Sequence, residues 1–143
     1  MPRIVDGDNV LGTWPGRSRS DEEKRALVRE VDRLIRREGK RIVVAFDGAP
    51  PSGLAFGPDV LFSGPGRSAD AAILSLLREE RDPRGWVLVT ADRALADRAR
   101  WLGAAVESPA AFRGRLLASG DGDKPAEGGD VRYWLEVFGG DED

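Results

Sequence analysis

Cysteine and histidine are both missing from this chain of 143 residues. Without cysteine there are no disulfides, no zinc–thiolate centres and no thiol nucleophile. Without histidine the commonest general base is gone, and with it the Ser-His-Asp arrangement and most transition-metal sites. Lysine is almost missing too. Lys24, Lys40 and Lys124 are its only occurrences among 22 basic residues, so arginine carries the positive charge. No hydrophobic run approaches the length of a membrane span and no signal-peptide pattern precedes Ile4, so a cytoplasmic protein without a membrane partner is expected. The chemistry left rests on carboxylates, hydroxyls, amides, arginine and bound metal. With oxygen donors dominating, the cofactor to expect is magnesium or manganese.

What is present suffices for one domain. The chain is 41% hydrophobic, and a chain of this size buries roughly 70% of its extended surface. The net charge of −3 by itself speaks against a nucleic-acid partner. The arginines speak for one, because a guanidinium grips phosphate through two bonds, although arginine in place of lysine also follows from genome composition.

Three hydrophobic segments end in aspartate: Arg3-Ile4-Val5-Asp6, Arg41-Ile42-Val43-Val44-Ala45-Phe46-Asp47 and Trp86-Val87-Leu88-Val89-Thr90-Ala91-Asp92. Short β-branched runs separated by helical stretches are the pattern of parallel strands with crossover helices. Parallel strands share an edge at their carboxyl ends, where ligands bind. Three carboxylates on one edge repel one another unless a cation lies among them.

Between the strands, Asp6 to Ser20 reads as a polar loop. A capping box at Ser20-Asp21-Glu22-Glu23 opens a helix with Leu27, Val28, Val31, Leu34 and Ile35 on one face, and Gly39 closes it. A Pro- and Gly-rich stretch from Ala49 to Ser68 contains a short strand at Val60-Leu61-Phe62. A second helix begins near Ser68 and a third runs from about Asp92 to Trp101, stopped by Gly103. Ala104-Ala105-Val106 forms a weak strand, and Ser108-Pro109 starts a fourth helix through Leu117. The expected architecture is one doubly wound α/β domain over residues 1–118, with a mainly parallel central sheet of four to five strands. A flexible link and a short amphipathic helix follow in 119–143.

Several side chains invite chemical roles, each with a structural alternative. Asp6, Asp47 and Asp92 close strands, but aspartate also forms turns and caps helices. Gly7 permits a tight exit from the strand, and the Asn9 amide can orient Asp6 or a phosphate. Asp70 sits in a first helical turn, where the helix dipole alone favours a carboxylate. Thr90 offers a hydroxyl to water or phosphate. Arg17, Arg19, Arg67 and Arg93 each lie near an acid in sequence and can attract phosphate, or simply pair with the acids. Trp14 can stack on a base or fold back over the core.

In their order and spacing, Ile4-Val5-Asp6-Gly7-Asp8-Asn9-Val10, Phe46-Asp47-Gly48, Ser68-Ala69-Asp70 and Val89-Thr90-Ala91-Asp92-Arg93 resemble the NYN branch of the PIN-like nucleases. The bacterial YacP-like proteins are the group most similar. Phe46-Asp47-Gly48-Ala49-Pro50-Pro51 is also similar to a segment of flap endonucleases. The resemblance implies a three-layer PIN-like Rossmannoid fold that cleaves RNA with Mg2+ or Mn2+, leaving 5′-phosphate and 3′-hydroxyl ends. It implies RNA, the ribosome included, as partner. By position, Asp6, Asp70 and Asp92 match the metal-binding acids, Asn9 the motif asparagine and Asp47 the strand-end acid. Two positions depart from the pattern: Asp8 stands where a non-acidic residue is expected, and Ala71 where a second acid often follows. Asp8 compensates for that acid, or the metal site is weakened.

Two other readings compete. A catalytically weakened RNA- or ribosome-binding module is favoured by Ala71. A haloacid-dehalogenase-like phosphatase would use Asp6 as nucleophile and Thr90 to bind phosphate, but its chemistry needs a lysine, and none lies between Thr90 and Lys124.

Overall fold

The computed structural model describes residues 2–50 and 59–122. Strands β1 (Arg3–Asp6), β2 (Ile42–Phe46), β3 (Val60–Phe62), β4 (Val87–Val89) and β5 (Ala105–Glu107) form one sheet in the order β3-β2-β1-β4-β5. All four pairings are parallel. The helices are α1 (Gly7–Gly12), α2 (Asp21–Glu38), α3 (Ala69–Glu79), α4 (Arg93–Trp101) and α5 (Pro109–Gly122), with a single 3-10 turn at Pro83–Gly85.

Alternation along the strands divides the interior in two. Val5, Val44, Phe46 and Val89 face a cluster completed by Val10 and Leu11 of α1, Leu27, Val31 and Leu34 of α2, and Phe112 of α5. Ile4, Val43, Ala45 and Leu88 face the other way, onto Ile73 and Leu77 of α3 and Leu95 and Ala99 of α4. Both faces of the sheet are therefore apolar, as an all-parallel sheet between helical layers requires. The result is the expected three-layer α/β architecture, with five strands.

The chain winds from β1 outward to β3, then returns to the other side of β1 to lay down β4 and β5. Between β1 and β4 the winding reverses, which opens a crevice beyond the carboxyl ends of those strands.

Two local expectations are corrected. The segment after Asp6 is not a loop, because α1 begins directly at Gly7. Val10 and Leu11 are fully buried, and that burial outweighs the turn propensity of Gly, Asp and Asn. The third acid lies beyond its strand: β4 stops at Val89, and Asp92 is the N-cap of α4. At the other end, α5 continues to Gly122, past the boundary expected at 118. The link beyond it and the terminal helix at 130–138 lie outside the described residues. Among the described residues no helix is long and apolar enough to cross a membrane.

Candidate active site at the carboxyl edge of the sheet

Asp6 ends the central strand and is 6% exposed. Its Oδ2 accepts a hydrogen bond from the Thr90 hydroxyl at 2.9 Å. Thr90 Oγ1 in turn accepts from the Asp92 N–H at 3.1 Å, so one buried hydroxyl joins the ends of β1 and β4. Asp92 Oδ1 accepts from the Leu95 N–H at 3.2 Å, the standard N-cap contact.

Asp47 lies just past β2. Its Oδ1 accepts from the Ala69 N–H at 2.6 Å. Ser68, the N-cap of α3 by position, makes no such side-chain bond, so Asp47 caps the helix from the end of β2. That contact fixes the first turn of α3, where Asp70 sits. The loop at Gly48 closes the arrangement, its N–H donating to Ser63 Oγ at 3.0 Å.

The acids act on one another. Burial raises the pKa of Asp6 to about 6; the Thr90 bond opposes this, while Asp70, Asp47 and Asp8 add to it. Asp70 is also raised, first by burial and then by Asp92 and Asp47, against the lowering effect of Arg98. Five acids, Asp6, Asp8, Asp47, Asp70 and Asp92, thus share one electrostatic neighbourhood.

Asp8 has a different role. One of its oxygens accepts from the Asp47 N–H at 2.6 Å, and the other lies 3.8 Å from the Lys24 Nζ. Its carboxylate ties α1 to the end of β2. Ala71, where a second acid was expected, is exposed on α3. Lys24 escaped sequence reading because it hides within a capping sequence; it spans from Asp8 to the Phe46 ring, 5.5 Å from the centroid.

Asn9 Oδ1 accepts from the Ala91 N–H at 2.8 Å. Through this bond the asparagine is a strut between α1 and the loop carrying Asp92. Gly7 is also explained by contact: a Cβ there would lie 2.4 Å from the Phe46 Cε1. Only hydrogen fits where α1 leaves the strand.

The arginines divide. Arg17 is committed to Glu23 at 2.6 Å and Glu30 at 2.9 Å, and it stacks 4.3 Å from the Trp14 ring centroid. Trp14 is packed against the core with Arg113 5.8 Å from its centroid, so it is not a free stacking surface. Arg19 Nε donates to the Asp8 carbonyl at 3.0 Å. Arg17, Arg19 and Trp14 thus have internal partners in this structure. Arg67 and Arg93 are exposed and have no acidic partner within ion-pair distance among the described residues.

The residues able to hold an ion are Asp6, Asp70 and Asp92, with Asp47 at the rim. Among the described residues no three acids converge into a ready-made cage. The donor set still fits a hard divalent cation. It is all carboxylate oxygen, two of its members are destabilised as anions, and magnesium commonly keeps several waters and takes only one or two carboxylates.

Comparison with known proteins agrees with the fold. Rae1 (YacP) from Bacillus subtilis is similar in structure, with a TM-score of 0.68 over 85% of this chain and 76% of that one, at 19% identity. A tryptophan-to-leucine mutant of the same protein gives a TM-score of 0.67, covering 84% of this chain and 77% of the other at 22% identity. No protein of curated function matches. The model of the YacP-like NYN domain matches residues 3–124, which takes in every acid described above. This chain belongs to the YacP-like NYN domain family.

Proposed function

We propose that this protein is an endoribonuclease that hydrolyses RNA phosphodiester bonds with carboxylate-held Mg2+ or Mn2+. The observation that carries the reading is the gathering of Asp6, Asp47, Asp70 and Asp92 at the carboxyl edge of the sheet, where burial first and neighbouring carboxylates second raise both Asp6 and Asp70. Carboxylates crowded in a partly buried crevice are relieved by an opposite charge placed among them. Membership of the NYN family supports nuclease chemistry, and the likeness to Rae1 supports the fold on which it is built.

A divalent ion at such a site lowers the pKa of water and stabilises negative charge on a phosphate oxygen. The remaining work belongs to this chain. Asp6, Asp70 and Asp92 supply the anionic oxygens. Thr90 holds Asp6 in one orientation and favours its ionised form. Asp47 and Asn9 fix the two loops that deliver Asp70 and Asp92. Arg67, in the loop before α3, and Arg93, the first residue of α4, offer guanidinium groups to the phosphates on either side of the scissile bond.

The phosphatase reading loses ground here. Its phosphate-binding threonine would need a free hydroxyl, and that of Thr90 is spent on Asp6. A second reading, an RNA-binding module with a weakened metal site, is favoured by Ala71 and by the lack of a preformed cage among the described residues.

Incubation of the purified protein with single-stranded and structured RNA in Mn2+, with and without chelator, tests the proposal. Cleavage abolished by chelator and by Asp6→Asn is expected. Cleavage that survives either change refutes the mechanism, and metal-dependent RNA binding without cleavage supports the second reading.

A further inference from the structure

The most exposed large apolar side chain among the described residues is Trp101, at 86%, the last residue of α4. It lines a hollow of about 240 Å³ together with Leu102, Arg98 and Arg78. Leaving an indole in water forfeits much of its burial energy, and nothing in the fold requires it at this position.

The position follows from the helices. α3 and α4 pack side by side on one face of the sheet and both begin at the acidic edge. Asp70 opens α3, and Arg78 stands eight residues later, about 12 Å along the axis at the helical rise. Asp92 caps α4, and Trp101 stands nine residues later, about 14 Å on. Arg98 lies between, near enough for its charge to act on Asp70. Neither Arg78 nor Arg98 has a carboxylate within ion-pair distance among the described residues.

We propose that the α3–α4 face is a single-strand RNA subsite, in which Trp101 stacks on a base while Arg78 and Arg98 hold the flanking phosphates. The proposal rests on the RNA-cleaving reading above for the place of the scissile phosphate. An aromatic face flanked by cations is the common means of holding single strands without reading their sequence. The charge is also of the right sign. The acidic crevice repels a polyanion, and Arg78 and Arg98 give the strand an attractive track leading away from it. The subsite explains how a chain of net negative charge can keep hold of RNA.

Affinity is measured by fluorescence anisotropy with a short, end-labelled single-stranded RNA oligonucleotide in chelator, so that binding is read apart from cleavage. Trp101→Ala is expected to weaken binding about tenfold, and Trp101→Phe to keep most of it. Arg78→Ala and Arg98→Ala are expected each to lower the slope of log affinity against log salt by about 0.7. These side chains are exposed, and circular dichroism checks that the variants remain folded. Wild-type affinity in Trp101→Ala and in both arginine variants overturns the subsite, including where the same changes alter self-association instead. Weakened binding in a protein that never cleaves RNA upholds the subsite and refutes the nuclease. Metal-dependent cleavage with unchanged affinity does the reverse.

Discussion

The Thr90 hydroxyl and the Asp6 carboxylate, 84 positions apart in the chain, meet at 2.9 Å in the interior. The bond favours the charged form of an acid that burial pushes towards neutrality. Thr90→Val removes the donor and also strips the Asp92 N–H of its acceptor. Asp6 then rises further in pKa, so the acidic limb of the pH–rate profile moves to higher pH. Activity at pH 6 falls by roughly ten- to a hundredfold, in the range of one lost catalytic hydrogen bond, and stability falls by about 1–2 kcal/mol. Thr90→Ser keeps the hydroxyl and restores both. A pH profile of Thr90→Val identical to wild type would show that the bond is not felt by the chemistry.

Asp6 also sets a pH dependence of stability. Its folded pKa is about 6, against an ordinary value of 3.8. The folded state binds the proton more tightly, so this group's stabilising contribution is full below pH 4 and is lost as pH rises through 6. The loss is on the order of 3 kcal/mol without a cation. In chelator, Asp6→Asn is expected to be more stable than wild type at pH 7.5, with the gap closing towards pH 4. Urea unfolding at the two pH values measures it. Added Mn2+ should narrow the same gap by stabilising the wild type alone.

Asp47 separates positioning from ligation. Its Oδ1 accepts from the Ala69 N–H and so holds the start of α3. Asp47→Asn keeps an acceptor oxygen, whereas Asp47→Ala leaves the helix start open at a cost of about 1 kcal/mol. If Asp47 chiefly places Asp70, the asparagine variant retains most activity and the alanine variant loses it. Equal loss in both would make Asp47 a metal ligand in its own right. Cleavage rates across a Mn2+ titration distinguish the two.

Gly7→Ala brings a methyl to 2.4 Å from the Phe46 ring. Something must shift, and overpacking of this kind costs about 1–3 kcal/mol. The shift occurs beside Asp6, so cleavage should fall further than stability alone would require. Combining it with Phe46→Leu makes room and should recover part of the loss in thermal unfolding. A Gly7→Ala protein as stable and as active as wild type would show that the junction is softer than its packing implies.

The sequence made some of this site plain and hid the rest, for physical reasons. Asp6 and Asp47 were visible because β-branched runs mark strands, and parallel strands put their ends on one edge. Asp70 was visible because a serine and a following acid mark a helix start. Helix α1 was hidden because Gly-Asp-Asn favours turns locally, while Val10 and Leu11 become buried only once α2 and the sheet are in place. The fate of the arginines was hidden for a related reason. Arg17 meets Glu30 across a turn that local sequence does not describe, and Arg78 and Trp101 line one hollow only because two helices pack. The bond from the Asp47 N–H to Asp8 was likewise hidden, because a backbone partner 39 residues away has no signature in the sequence.

The strand order β3-β2-β1-β4-β5 also sets a timetable. The central strand precedes both its neighbours in the chain, and the second of them comes from residues 87–89. During synthesis β1 and β2 can pair early, but one side of β1 stays open until most of the chain has emerged. Asp6 remains in water through that interval, with no Thr90 beside it. A nascent chain therefore carries its first acids long before the cluster exists, and a chain whose translation stops short of Asp92 never assembles it.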